Sequence, residues 1–428
     1  MGHLIQNFEA LARTSLRSDA LAILEAGYDA VNTPKVIREE VTLKGNDICV
    51  KQLNICVTDY ERVFVIAIGK CAVDAAQVLE EILGDHLTDG IVLDVKSGVF
   101  GKLSSFVGSH PFPTSENVTV TESIAKMLRG LTEKDFVITV ISGGGSSLLC
   151  LPYETTCEML HTVTEQLMHR GASIQELNTV RKHLSDIQGG QLAHMAYPAT
   201  VLSLILSDVP GNDIGYVASG PTVLDDTTKD DALRILTKYE IDPSAPQYGL
   251  TLKETPKDPR FFANVHNILV STNERALEAM AREARARDYT PSVVSTTYAG
   301  ENRALGEMLA TTELAPGACL LYGGETTVTV QEGGKGGRNQ ELPLAALPHI
   351  TDHRVVIAAA SDGWDNSDAA GAIADLPAQE RAREKELDLH QFLKASTSYD
   401  FWELHGDRIM TGKTGINVAD FYLVIKEK

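Results

Sequence analysis

The sequence predicts an α/β protein of two domains, the first a Rossmann-like, doubly wound and largely parallel sheet and the second another α/β unit. Three observations carry that expectation. Continuous apolar runs such as residues 63–68 stop at Gly69-Lys70 or at serine-glycine turns and pass directly into helical spacing, as in residues 72–83. The chain is 428 residues long and 43 % hydrophobic, which is material for more than one core. The stretch 225–264 is more polar and holds Pro243, Pro246, Pro256 and Pro259, the composition of a linker or a domain edge. The expected domains are therefore 1–260 and 261–428.

In chain order, residues 8–31 place Leu11, Leu16, Ala20, Leu21, Leu24 and Ala30 at helical spacing until Pro34 ends the pattern, so one amphipathic helix opens the chain. Strands follow at 63–68, 90–95, 136–141 and 200–206, with helices between them. Beyond the boundary, strands are expected at 267–271, 292–295, 318–321 and 355–360, alternating with helices near 274–287, 301–309 and 340–347. The charged stretch 377–395 reads as a solvated helical face, and 421–425 as a closing strand that could join either sheet.

The formal charge of -20 repels phosphate backbones and excludes nucleic acid as a partner in the absence of a basic patch. The six cysteines form no C-x-x-C pair, so reduced thiols and a cytoplasmic protein are expected rather than a disulfide framework or a zinc site. Residues 1–12 carry Asn7 and Glu9 and lack the pattern of a signal peptide, and no long apolar run suggests a membrane span. The histidines, including His110, His183 and His194, show no metal-ligand spacing.

An acidic protein that binds an anion must gather positive potential locally, and several loops are built for that. Ser142-Gly143-Gly144-Gly145-Ser146-Ser147 lies where a buried strand ends, so its backbone N–H groups and hydroxyls are candidates to cradle phosphate or carboxylate oxygens. Lys70 stands at another strand end, on the edge where open α/β sheets bind ligands. The run from Tyr322 to Val330, followed by Gly333 to Glu341, reads as a strand pair with a glycine-rich loop leading into a helix. Arg338 opens that helix, with Glu325, Gly337 and Asn339 beside it, and its planar guanidinium suits a carboxylate or a transferring phosphoryl group. Asp208 and Asp213 follow the strand 200–206 and are candidates to hold Mg²⁺, Asp208 also to accept a hydroxyl proton. Asp362 is a similar candidate from the second half.

Two tempting motifs fail. Gly412-Lys413-Thr414 ends like a phosphate-binding P-loop but has Asp407 where the first glycine must stand, and in Gly215–Thr222 Pro221 takes the place of the lysine. No G-x-G-x-x-G follows a strand, which weighs against a dinucleotide.

Taken together, Ile-Gly-Lys70, the Ser142–Ser147 loop, Leu177-Asn-Thr-Val-Arg-Lys182, Ser207-Asp-Val-Pro-Gly, Ala218-Ser-Gly-Pro-Thr, Gly323-Gly-Glu-Thr-Thr-Val-Thr-Val, Gly336-Gly-Arg-Asn-Gln-Glu, Ser361-Asp-Gly and Thr411-Gly-Lys-Thr-Gly-Ile-Asn-Val resemble the glycerate 2-kinases of the MOFRL type, in order along nearly the whole chain. The resemblance implies a MOFRL-type second domain, a cleft between the domains, and transfer of the γ-phosphoryl of ATP, with Mg²⁺, to the 2-hydroxyl of D-glycerate. It also implies that Lys70 and Arg338 are catalytic. Asp362-Gly-Trp364-Asp365-Asn366 departs from the family's Asp-Gly-x-Asp-Gly, and Lys413 replaces a common proline. The rival readings are an oxidoreductase acting on hydroxypyruvate and a sugar-acid sensor without turnover. A homodimer is expected from the frequency of such assemblies.

Overall fold

The structure, a computed structural model, describes residues 2–328 and 334–428. The chain forms two compact units, one of residues 36–271 and one that joins residues 1–35 to 272–428.

The unit of residues 36–271 is built on six parallel strands, which lie across the sheet in the order Leu103–Val107, Asp89–Asp94, Arg62–Ile68, Asp135–Ile141, Thr200–Leu206 and Val265–Ser271. The chain starts mid-sheet, builds outward to one edge, then returns to build the other, which is the doubly wound order. Along Arg62–Ile68 the side chains alternate between the two faces. Val63, Val65 and Ala67 join a core with Val73 and Leu79 of the helix Ala72–Leu83, whereas Phe64, Ile66 and Ile68 join Val120 and Ile124 of Ser115–Leu128. Because both faces are covered, the strand reads as one unbroken apolar run.

Two parts of this unit depart from expectation. The stretch 225–264 is not a linker: Leu236 of the helix Lys229–Lys238, with Ile241 and Leu250, buries against Leu177 and Val180 of Ile174–His183. Its prolines shape the return path, but its few apolar residues still have a core to enter. The three-stranded antiparallel sheet Val41–Lys44, Asp47–Val50 and Leu53–Cys56 was not expected, since strands of four residues are too short to show a period.

The other unit has a mixed sheet in the order Thr290–Tyr298, Ala318–Gly324, Asp420–Lys426, Arg354–Ala360, Gly371–Asp375 and Arg408–Ile409. The closing strand Asp420–Lys426 is central and runs antiparallel to both neighbours, which settles its sheet. The N-terminal helix belongs here too. Leu21, Leu24 and Tyr28 of Ser15–Ala30 pack with Leu277 and Met280 of Asn273–Ala286 against Leu321, Phe421 and Leu423. Arg17 is fully buried, with Nε donating to Asp375 Oδ2 at 2.6 Å and Nη2 to Asp407 Oδ2 at 2.8 Å. A single cut at 260/261 therefore differs from the observed division, because residues 1–35 supply the cover for one face of the second sheet. The opening helix is also broken, into Phe8–Leu11 and Ser15–Ala30, where the Thr14 side chain accepts from the Arg17 N–H and starts the second piece.

Among the described residues no helix is long and apolar enough to cross a membrane. None of the six cysteines is in a disulfide.

Candidate active site

In the parallel sheet the order of strands reverses between Arg62–Ile68 and Asp135–Ile141, and such a switch point opens a crevice at the carboxyl edge. Gly69-Lys70 leaves the first of these strands and the Ser142–Ser147 loop leaves the second. The two turns are tied together: the Lys70 N–H donates to the Gly143 carbonyl and the Ser142 N–H to the Ile68 carbonyl, each at 3.0 Å. Gly69 has φ +115°, and a Cβ there would lie 2.2 Å from Ser142 Oγ and 2.6 Å from the Ser142 carbonyl oxygen, so no other residue fits.

Within the loop, Ser142, Gly143 and Gly145 are buried. Ser142 Oγ accepts the Cys71 N–H at 3.2 Å and donates to the Ile68 carbonyl at 3.3 Å. Its hydroxyl is thus a strut between two turns rather than a ligand contact, a correction to the expectation that it binds phosphate. Gly144, Ser146 and Ser147 are the partly exposed members. A methyl placed on Gly144 would sit 3.2 Å from Lys70 Cγ and 3.1 Å from His110 Cδ2, so both side chains flank that glycine.

The loop is held from behind. Gln188 Nε2 donates to the Ser146 carbonyl at 2.9 Å, Ser147 Oγ donates to the Pro111 carbonyl at 2.7 Å, and Ser146 Oγ lies 3.2 Å from Ser219 Oγ. Ser219 in turn donates to Asn178 Oδ1 at 2.7 Å. Asp94, fully buried at the end of the neighbouring strand, accepts the Val73 N–H at 2.8 Å and caps the helix that begins beside Lys70. Burial pushes its carboxyl pKa up, against the backbone N–H groups that favour its charge.

Asp208 is partly buried at the end of Thr200–Leu206, whereas Asp213 is exposed and accepts the Gly215 N–H at 2.9 Å within its own turn. Among the described residues no group of three His, Cys, Asp or Glu gathers as a ready-made metal cage. One or two carboxylates are what Mg²⁺ needs when substrate phosphates supply the rest of its shell, and Asp208 fits that smaller demand. His183 is a satisfied core residue, with Nδ1 2.8 Å from the Thr179 carbonyl.

In the other unit Arg338 is the first residue of the helix Arg338–Ala346. Nε contacts Asp420 Oδ2 at 2.5 Å, and Nη1 lies 2.9 Å from Glu325 Oε1. Burial works against the guanidinium charge, but Asp420 and Glu325 outweigh it and hold the pKa above its ordinary value. Glu325 is therefore half of an ion pair. Asp420 is itself fixed by Tyr422, whose hydroxyl donates to Oδ2 at 3.0 Å.

Asp365 organises the start of that helix. It accepts the Gln340 N–H at 2.9 Å and Gln340 Nε2 at 3.0 Å, and its burial, at 5 % exposed, raises its pKa to about 7. Gly337 packs on it so closely that a Cβ would lie 2.2 Å from Asp365 Oδ1. Asn339 is fully buried, with Nδ2 turned to Asp365 at 3.4 Å, which ties it to the start of the helix. Asp362 is partly buried and accepts the Trp364 N–H at 3.0 Å, and Lys413 Nζ lies 5.8 Å from the centre of the Trp364 ring. The expected strand and glycine loop at 329–333 lie outside the described residues.

Sequence reasoning missed His110, Asn178, Gln188 and Asp94 in one unit and Asp365 and Asp420 in the other. Asn178 and Asp365 lay within motifs already singled out, and Asp94 at a strand end; for His110, Gln188 and Asp420 no local pattern marks the contact.

A model described as a domain of unknown function, DUF4147, matches residues 19–251, and the MOFRL family model matches residues 318–420. A glycerate 2-kinase of Pyrococcus horikoshii is 37 % identical over 93 % of each chain. A D-glycerate 2-kinase of Thermotoga maritima is 33 % identical over 96 % of this chain and 98 % of that one. A putative hydroxypyruvate reductase of Agrobacterium vitis is 36 % identical over 85 % of this chain and 87 % of its own. The crystal structure of the glycerate kinase from Thermotoga maritima superposes with a TM-score of 0.85 at 32 % identity, over 96 % of this chain and 99 % of that one.

Proposed function

The chain belongs to the glycerate kinase family that carries the DUF4147 and MOFRL regions, and from that premise we propose that it transfers the γ-phosphoryl of ATP to the 2-hydroxyl of D-glycerate. The observation that carries this reading is the pair of bonded turns at the switch point, where Lys70 lies along Gly144 of the glycine loop.

Phosphoryl transfer asks for positioning and charge neutralisation rather than covalent chemistry. In this reading the loop from Gly144 to Ser147 donates to phosphate oxygens, and Lys70 brings its ammonium charge to them. In the other unit Arg338, kept charged by Asp420 and Glu325, is the second proposed catalytic cation, and its guanidinium suits a carboxylate or phosphoryl oxygens. The bond that forms joins the glycerate 2-oxygen to phosphorus, and the one that breaks releases ADP. Mg²⁺, when bound, neutralises charge on the phosphates; Asp208 either contributes a carboxylate to it or accepts the proton of the 2-hydroxyl. Asp362 is a further substrate-side candidate. The six thiols support a reducing, cytoplasmic setting.

The oxidoreductase reading has the name of one relative in its favour, but the turn at the switch point is Ser-Gly-Gly-Gly and not the dinucleotide fingerprint. ADP release with D-glycerate and ATP, together with absence of NADH oxidation by hydroxypyruvate, is the expected pair of results. NADH oxidation without ADP release sinks the kinase reading.

A further inference from the structure

Beside the glycine loop, residues 36–271 form an open cavity of about 390 Å³. Ser146, Ser147 and Gln188 line it together with Arg181, and Phe112, Leu160 and Met168 form apolar wall. Cavities of this order, about 300–1,000 Å³, take ligands well beyond a three-carbon acid.

Arg181 stands out against its neighbour. Lys182 Nζ is paired with Asp225 Oδ1 at 3.1 Å, whereas among the described residues no carboxylate or other acceptor meets the Arg181 guanidinium. Desolvation is the one influence on it and holds its pKa below the ordinary value. A half-buried cation on a cavity wall without a counter-charge is an unmatched positive charge, and an anionic ligand in the cavity pairs with it. The wall is equally unfinished: Phe112 and Met168 are 56 % and 57 % exposed, and the Phe112 ring lies 4.3 Å from that of His161. A flat heterocycle covers such a surface, and Glu165 in the same lining is an acceptor for amino or hydroxyl hydrogens.

We propose that this cavity seats the nucleotide, with Arg181 gripping one of its phosphates and the Phe112 and Met168 wall taking its nucleoside. The proposal rests on the kinase reading, since Ser146 and Ser147 belong both to the cavity and to the phosphate loop. It makes Arg181 a binding residue for ATP and not for glycerate.

Calorimetric titration of the full chain with ADP and with adenosine tests it, alongside steady-state kinetics. Arg181→Ala is expected to weaken ADP at least ~10-fold, leave adenosine within about twofold and raise KM for ATP with KM for glycerate unchanged. Phe112→Ala, at an exposed position that leaves folding intact, is expected to weaken both ligands by about fivefold. ADP affinity unchanged in both variants overturns the proposal, as does a rise in KM for glycerate alone after Arg181→Ala. Wild-type turnover of glycerate is read separately: its absence with ADP binding still sensitive to Arg181 refutes the kinase reading and keeps the nucleotide seat.

Discussion

The backbone N–H of Lys70 donates to the carbonyl of Gly143 at 3.0 Å, so the turn that carries the cation and the turn that carries the glycine loop move as one. A change in either is therefore felt by both. Lys70→Ala is expected to lower kcat at least ~100-fold, far more than any loss of stability explains, because the side chain contributes charge at the transition state. Parallel kinetics and thermal unfolding check this; unchanged kcat refutes the assignment.

Gly69→Ala tests the tie itself. The new methyl must enter space held by Ser142, so we expect a loss of about 2 kcal/mol of stability and at least ~10-fold lower turnover, from strained backbone and displaced loop together. Turnover and denaturant midpoint equal to wild type contradict it.

Asp420 keeps Arg338 charged and aimed while being only 2 % exposed in its side chain. Asp420→Asn is expected to cost about 1–3 kcal/mol of stability and to lower kcat. Arg338→Lys keeps the charge but loses the fork that spans Asp420 and Glu325, so kcat is expected to fall at least ~10-fold. Full activity in Arg338→Lys shows that only charge is used.

Asp365 gives a pH signature. Its folded pKa is raised to about 7, while the unfolded carboxyl titrates near ~3.9. Between those values the folded chain holds a proton that the unfolded chain has released, so this group subtracts stability as pH rises through the window. Asp365→Asn lacks the effect. Its stability relative to wild type is expected to climb by about 1.4 kcal/mol per pH unit, up to about 4 kcal/mol, between pH ~4 and ~7. Urea unfolding at several pH values measures it, and parallel curves contradict it.

Arg17 links residues 1–35 to the second sheet through Asp375 and Asp407. Arg17→Ala leaves two buried carboxylates short of a partner and is expected to cost about 3 kcal/mol, read from urea unfolding. A loss below ~1 kcal/mol contradicts the view that this network anchors the N-terminal helix.

What was legible in the sequence is what local pattern encodes. Continuous apolar runs marked the strands Arg62–Ile68 and Thr200–Leu206, and serine-glycine turns after them marked the loops. Partnership was not legible. The spacing of Leu21 and Leu24 declares an apolar face but not what covers it, and Arg17 meets partners 358 and 390 residues away. Burial was hidden too: Ser142 and Asn339 look like ligand donors by residue type, yet one braces a turn and the other faces Asp365. Arg181 and Lys182 are adjacent in sequence, and only the structure separates the paired cation from the one that faces a cavity.

The most direct test of the kinase reading is phosphorus NMR of the products after incubation with ATP, Mg²⁺ and D-glycerate. The expected spectrum shows 2-phosphoglycerate and ADP. Intact ATP contradicts the reading, and 3-phosphoglycerate contradicts transfer to the 2-hydroxyl.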